Sequence, residues 1–173
     1  NVDNLVYTST LGGNLRGTGW DGIIMGNKGN DTLSDGTGDT SPEEAGTVTL
    51  VGGEGNDRYI IENPNVVIIE SASVAGGVDT VVSKFDFSML NAANVENLVL
   101  TGDATLGVGN SVANLIMGNS STADMLVGLQ GSDTIVGGSE GDLIFGGSAT
   151  FAIGRLTAPA GLNLDSNSAT MLK

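Results

Sequence analysis

The sequence contains no cysteine and no histidine, and these two absences remove much of the reactive side-chain repertoire. Serine–histidine and cysteine–histidine nucleophile systems, thiol redox chemistry and zinc sites built on imidazole or thiolate are excluded. Without cysteine there is also no disulfide framework to report the compartment. Positive charge is scarce: 6 Lys plus Arg stand against 20 Asp plus Glu, a formal charge of −14. Nucleic acid and anionic membrane surfaces both need clustered Lys and Arg, so neither is expected as a partner. Apolar runs fall well below the roughly 18 residues of a membrane span, and no basic start followed by an apolar segment appears at Asn1. The chain is read as soluble, without membrane insertion or an N-terminal address.

What remains is a foldable chain with an unusual balance. At 173 residues and 39% hydrophobic content it is long and apolar enough to bury a core, and it carries 28 glycines. Carboxylates are its only strong side-chain ligands, so cations are its natural partner.

Self-similarity appears at two scales. On the long scale NVDNLVYT at Asn1 to Thr8 matches NVENLVLT at Asn94 to Thr101, and IIMGN from Ile23 matches LIMGN from Leu115, offsets of 93 and 92 residues. The near-constant offset points to duplication. On the short scale the period is nine: GNKGNDTLS from Gly26, GGEGNDRYI from Gly52, then NSSTADMLV, GLQGSDTIV and GGSEGDLIF in unbroken register from Asn119 to Phe145. Each row has Asp at its sixth place (Asp31, Asp57, Asp124, Asp133, Asp142) and a large apolar residue at its eighth (Leu33, Tyr59, Leu126, Ile135, Ile144).

Each place in a row has a physical reason. Glycines permit positive φ and a tight turn with carbonyls facing into the loop. The last three residues form a short strand whose middle side chain points opposite to its neighbours. Two rows make a coil of about 18 residues, so loops two rows apart stack at roughly the 4.8 Å strand spacing, and the eighth-place residues build the core. Further rows are expected at Gly17, at Asp35 with an insertion over Thr40 to Val48, at Gly109, and at Gly146 with Phe151 where Asp would stand. The segment Ile60 to Ala93 reads as β in longer strands, with VVII at Val66 to Ile69, DTVV at Asp79 to Val82 and turns at Asn63-Pro64 and Gly76-Gly77. The expected organisation is a first unit over 1–93 (rows 17–60, β spacer 61–93) and a partly degenerate second unit over 94–173 with an irregular tail from Arg155, together one continuous solenoid.

Stacking gives the carboxylates their chemistry. Asp31 and Asp57 fall on the same side in adjacent coils, and two bare carboxylates about 5 Å apart repel by roughly 3 kcal/mol at an effective dielectric of 20. Calcium suits such a place, accepting 6 to 8 hard oxygens at about 2.3 to 2.6 Å, whereas magnesium demands a strict octahedron. The candidate metal residues are Asp31, Asp57, Asp124, Asp133 and Asp142, with Gly26, Gly52, Gly128 and Gly137 opening their loops. The alternative is that these Asp residues cap turns without a metal. In the second unit Asp124 pairs with Asp142, and Asp133 with Asn114 or Phe151; a metal-free ladder of Asn, Ser and Asp hydrogen bonds is the alternative there.

Other motifs carry less. Gly17-Thr18-Gly19 and Gly36-Thr37-Gly38 lack the context of a phosphate loop, Glu43-Glu44 reads as solvated insertion, and Trp20 and Phe145 read as packing residues. Seventh and ninth places in the second unit are apolar: Met125, Val127, Leu143 and Phe145 on one sheet, Leu115, Met117 and Val136 on the other. Such a ladder calls for cover from the 60–93 segment, the tail or another chain.

GNKGNDTLS and GGEGNDRYI, with the ENPNVVIIESASVAGGVDTVV segment that follows, resemble the RTX family of calcium-binding, haemolysin-type repeat proteins. The resemblance covers most of residues 1 to about 150. It implies an all-β fold, a right-handed parallel β-roll or β-helix solenoid, with Ca2+ in the stacked loops, export by a type I secretion system and a place outside the cell, secreted or on the bacterial surface. The expected function is a non-enzymatic structural or assembly protein (S-layer, adhesin or filament segment) that folds when it meets extracellular calcium. Self-association through solenoid ends or the apolar outer face is expected with it, because Asn1 begins inside a repeat and nothing caps the rows after Phe151. The alternative is the C-terminal repeat module of a secreted protease, lipase or polysaccharide-modifying enzyme.

Overall fold

Short runs with one inward side chain and glycine-rich turns leave the chain little choice but to coil. The computed structural model describes residues 3–36, 46–73 and 75–147. Of the expected features, most of the insertion, Phe151 and the tail lie outside the described residues. Among the described residues fifteen strands follow in order: β1 Asp3–Val6, β2 Asn14–Arg16, β3 Gly22–Met25, β4 Thr32–Ser34, β5 Val48–Val51, β6 Arg58–Ile61, β7 Val66–Ile69, β8 Thr80–Ser83, β9 Phe87–Ser88, β10 Asn97–Leu100, β11 Leu106–Val108, β12 Leu115–Met117, β13 Met125–Val127, β14 Thr134–Val136 and β15 Leu143–Phe145. One 3-10 turn, Met89–Asn91, follows β9.

All pairings are parallel. The even strands form one seven-stranded sheet, β14-β12-β10-β8-β6-β4-β2, while the odd strands form two four-stranded sheets, β1-β3-β5-β7 and β15-β13-β11-β9. The fold is thus a parallel β-roll: each coil contributes one strand to the even face and one to the odd face. The odd face parts between β7 and β9, where β9 has two residues and the chain turns into the 3-10 helix with Met89 buried. The expected 18-residue coil is the base register, as Asn14 pairs with Thr32, Val48 with Val66, Asn97 with Leu115 and Met125 with Leu143. Several coils differ from it by one or two residues, and two stretches are much longer: Thr32 pairs with Arg58, as Gly22 does with Val48, across the insertion, and Arg58 pairs with Thr80. Strands β6, β7 and β8 have four residues each against three in β11 to β15, and the 60–93 segment continues the same stack.

The core is a ladder of middle-strand side chains. On the even face Leu15, Leu33, Tyr59, Val81, Leu98, Ile116 and Ile135 are directly paired, each to the next. All but Ile135 are buried, and they face Ile24, Leu50, Ile68 and Leu126 from the odd strands. Fully burying one such side chain contributes on the order of 1.5–3 kcal/mol. Gly107 takes the inward place in β11, where a Cβ would press on Leu98, Leu100 and Leu126.

The duplicated segments land on opposite faces. NVDNLVYT supplies β1 on the odd face and NVENLVLT supplies β10 on the even face; IIMGN and LIMGN do the same through β3 and β12. Nine strands separate each pair, an odd number, so the copy changes sides. The repeating unit is the row, not the coil.

The apolar outer positions divide. Val127 is buried and Met125, Leu143 and Phe145 are half-buried, whereas Leu115, Met117 and Val136 are exposed on the even face. Ile23, Met25, Val67 and Ile69 form a further exposed ladder on the odd face of the first unit.

Candidate metal centre

Turns that lead from an odd to an even strand all lie on one edge of the roll, and the residue that ends each turn after the first, which ends at Gly13, carries a polar side chain. In chain order these are Asp31 before β4, Asp57 before β6, Asp79 before β8, Glu96 before β10, Asn114 before β12 and Asp133 before β14. Stacking makes them a column joined by backbone donors. Gly13 N donates to Asp31 Oδ1 (2.5 Å), Asp31 N to Asp57 Oδ1 (2.7 Å), Asp57 N to Asp79 Oδ1 (2.7 Å) and Asp79 N to Glu96 Oε2 (2.8 Å). Asn114 N donates to Asp133 Oδ1 (3.0 Å) further along. On the opposite edge Asp124 N donates to Asp142 Oδ1 (3.0 Å). The sequence-derived pairs Asp31 with Asp57, Asp124 with Asp142 and Asp133 with Asn114 are therefore neighbours in adjacent coils.

One oxygen each of Asp31, Asp57, Asp79 and Asp133 is spent on this stack, while Asp124 Oδ1 accepts from Thr122 Oγ1 in its own loop (2.7 Å); the fate of the second oxygen separates the members. Asp31 Oδ2 accepts from Asn27 N at 2.7 Å, and Asp124 Oδ2 from Asn119 N at 2.5 Å. The Oδ2 atoms of Asp57, Asp79 and Asp133 are buried and have no hydrogen-bond partner. Buried carboxylate oxygens without partners are rare, because the desolvation cost is not recovered.

Asp57 and Asp79 do not stand alone. Glu70, which follows β7 in the same column of turns, brings a carboxylate oxygen so that one oxygen from each of the three lies within 4.8 Å of the others. Glu70 is held by Tyr59, whose hydroxyl donates to Oε2, and by Ser71 N (2.7 Å) and Gly53 N (3.4 Å) on Oε1. Gly52 closes the cradle: a Cβ there would collide with the Tyr59 hydroxyl, Asp57 Oδ2 and Glu70 Oε2. The glycine that begins the row is required because the oxygens converge on it. First-place Gly26, Gly128 and Gly137 likewise lie against the carboxylates of Asp31, Asp133 and Asp142.

The electrostatics follow from burial and like charge. Burial pushes the Asp57 carboxyl up to about 6, with the Glu70 and Asp31 charges adding to it against the Asp31 N–H. Burial pushes Asp79 up to about 7, helped by Glu70, Asp57 and Glu96. Glu70 is raised by burial and by Glu96, against the hydrogen bonds from Tyr59, Ser71 and Gly53. Tyr59 is held far above the ordinary phenol range by burial and by Glu70. The donor set fits calcium: hard oxygens only, separations that a 2.3 to 2.6 Å coordination sphere spans, and two oxygens with no other use. Asp35, also buried and raised to about 6, offers no such opening, because both its oxygens accept backbone N–H groups, from Glu62 and Asn63 (2.8 Å each).

Sequence reasoning missed Glu70 and Asp79 as ligand candidates. Their segment lacks the nine-residue spacing and reads as spacer; the signal available was Gly76-Gly77-Val78-Asp79, a shortened row ending before an apolar strand.

Comparison with known proteins agrees with the row pattern. The family model of the RTX calcium-binding nonapeptide repeat matches in four copies over residues 44–60 and 119–149. The chain is 33% identical over 96 residues to the endo-1,3-1,4-beta-glycanase EglC of Rhizobium meliloti (strain 1021), a match covering 56% of this chain and 18% of that protein's length. No solved structure matches. With the stacked rows and the converging carboxylates, the family match shows that the chain carries RTX calcium-binding nonapeptide repeats over residues 44–60 and 119–149.

Proposed function

We propose that this chain is a calcium-dependent β-roll module of an exported bacterial protein, a part that folds and holds shape outside the cell and does no chemistry of its own. The observation that carries this reading is the pair of buried, unpartnered oxygens on Asp57 and Asp79 beside the Glu70 carboxylate. Three buried acids in one pocket repel, and a bound divalent cation supplies the opposing charge. Around it this chain's own groups fix the geometry: Asp57 and Asp79 are anchored by N–H groups through Oδ1, and Tyr59 and Ser71 orient Glu70. The strongest site is read one coil further along than the sequence suggested, between Asp57 and Asp79. Asp133, with its own unpartnered oxygen, is the second candidate, and Asp142 the outermost.

Calcium above the cytosolic level would complete folding after export, since binding energy released only by the folded loops becomes folding energy. Exported RTX repeat proteins are the family precedent, and no helix among the described residues is long and apolar enough to cross a membrane.

Two settings for the module remain in play, each with an observation behind it. Likeness to part of a glycanase favours a non-catalytic repeat module attached to a secreted carbohydrate-cleaving enzyme. The exposed ladder of Ile23, Met25, Val67 and Ile69 favours a surface or filament protein that assembles through that face. Circular dichroism through a calcium titration tests the shared core of both. The β signal is expected to rise with calcium and fall with chelator, and an equally β-rich chain in chelator would overturn it.

A further inference from the structure

The two fates of the sixth-place carboxylate follow the backbone of one residue, the second in the row. Asn27, four residues before Asp31, keeps negative φ, and its N–H caps Asp31 Oδ2. Asn110, four before Asn114, does the same to Asn114 Oδ1 at 2.9 Å. In the row of Asp124, whose loop is one residue longer, Asn119 N supplies the cap. Gly53, four before Asp57, instead has φ +117, and Leu129, four before Asp133, has φ +71; both of those carboxylates keep an unpartnered oxygen. Rotation about the N–Cα bond of the second residue swings the peptide ahead of it, together with that N–H, relative to the carboxylate downstream. In the left-handed conformation Gly53 N points to Glu70 Oε1.

An independent observation separates the classes in the same way. Asn114 occupies the sixth place of a capped row, and its Nδ2 donates to Val95 O (3.1 Å) and Glu96 O (3.2 Å). An amide, which brings no charge to a cation, serves there as well as a carboxylate.

We infer that the second residue of each row selects between an amide-closed carboxylate and a cation-open one. Calcium then enters at Asp57 with Asp79 and at Asp133, while Asp31 and Asp124 hold their coils without an ion. The inference rests on the calcium reading above and divides the rows within it. A closed row has donors on both carboxylate oxygens, the N–H groups of Gly13 and Asn27 at Asp31 and the Thr122 hydroxyl and Asn119 N–H at Asp124, and an ion would have to displace one of them. An open row has an oxygen that costs stability until a cation reaches it.

Isothermal titration calorimetry with calcium alone on the full chain distinguishes the classes. Asp31→Asn and Asp124→Asn are expected to leave the number of ions and their affinity unchanged, whatever they cost in stability, because neither carboxylate has an oxygen left for an ion. Asp57→Asn and Asp79→Asn are expected to lose at least one ion or at least tenfold in affinity. If D31N loses as much calcium as D57N, or D57N and D79N retain full uptake, the inference is overturned. The D31N arm decides even where D57N fails to fold. Absence of calcium uptake by the unsubstituted chain would instead overturn the proposed function itself.

Discussion

The rows at Gly26 and Gly52 differ in their loops only at the second and third places, Asn27-Lys28 against Gly53-Glu54, yet the structure makes them unlike. Both have a sixth-place Asp under 3% exposed, and both have an eighth-place residue sealed in the core. In the first, the loop's own amide closes on the carboxylate; in the second, the amide turns away, and Glu70, Tyr59 and Asp79 gather round the oxygen it leaves. The third-place residues answer each other across the coils, as Lys28 Nζ lies 3.3 Å from Glu54 Oε1, an exposed pair of small worth. Matching the consensus therefore does not make two rows equivalent. Whether a row needs an ion depends on what else its carboxylate can bond.

The largest test of this difference is removal of calcium. Hydrogen exchange at single amides should show the Asp57 and Asp79 N–H groups losing about hundredfold protection on chelation from a calcium level near 100 Kd. The Asn27 and Asn110 N–H groups, which cap closed rows, should change by less than tenfold. Uniform loss along the column would mean that the rows unfold as one unit and that the distinction between them has no energetic weight.

Acidity should sharpen the same contrast in ion-free protein. Asp57 and Asp79 have folded values raised to about 6 and about 7, mainly by burial. A raised carboxyl favours the folded state when protonated, so its contribution is complete below pH ~4 and is lost as pH climbs through 6 to 7. For Asp57 alone the swing is on the order of 3 kcal/mol. In chelator, urea midpoints should fall from pH 5 to pH 8, and saturating calcium should abolish the trend. A midpoint that rises with pH in chelator would show that these carboxyls are stabilised as anions by something other than a cation.

The fold was legible because one side chain in nine has to be apolar and point inward. Leu33, Tyr59 and Leu126 announce the strands, and the Gly-x-x-Gly-x-Asp loops from Gly26, Gly52 and Gly128 announce the turns, so a stacked solenoid follows from the period and the parallel roll from the family resemblance. The site was legible by half. Asp57 stands in a full row, but its partners come from a coil with no nonapeptide: Glu70 stands where a first-place glycine would, and Asp79 ends a ten-residue turn from Glu70. Stacking made them neighbours of Asp57, and spacing along the chain does not encode stacking across a coil of irregular length. Nor does composition reveal φ. That Asn27 caps Asp31 while Leu129 leaves Asp133 open is a matter of backbone rotation, and Leu at the second place gives no hint of a left-handed residue.

Leu129 also offers the smallest and most exacting test. At φ +71 it holds a conformation that costs a non-glycine residue roughly 1–2 kcal/mol. Gly53 and Gly138 occupy the equivalent place without that strain, at φ +117 and +125. Leu129→Gly removes the strain but gives the unfolded chain about 0.5–1 kcal/mol more conformational freedom to lose. The net expectation is a gain of about 0.5–1 kcal/mol, read as a small rise in urea midpoint in calcium-free buffer. Calcium uptake at Asp133 should persist, since glycine keeps the loop free to stay open. A loss of stability would mean that the Leu129 side chain contributes more by packing than its backbone loses to strain. The open state of the Asp133 row would then be held by that packing, and not by the same backbone preference that opens the row of Asp57.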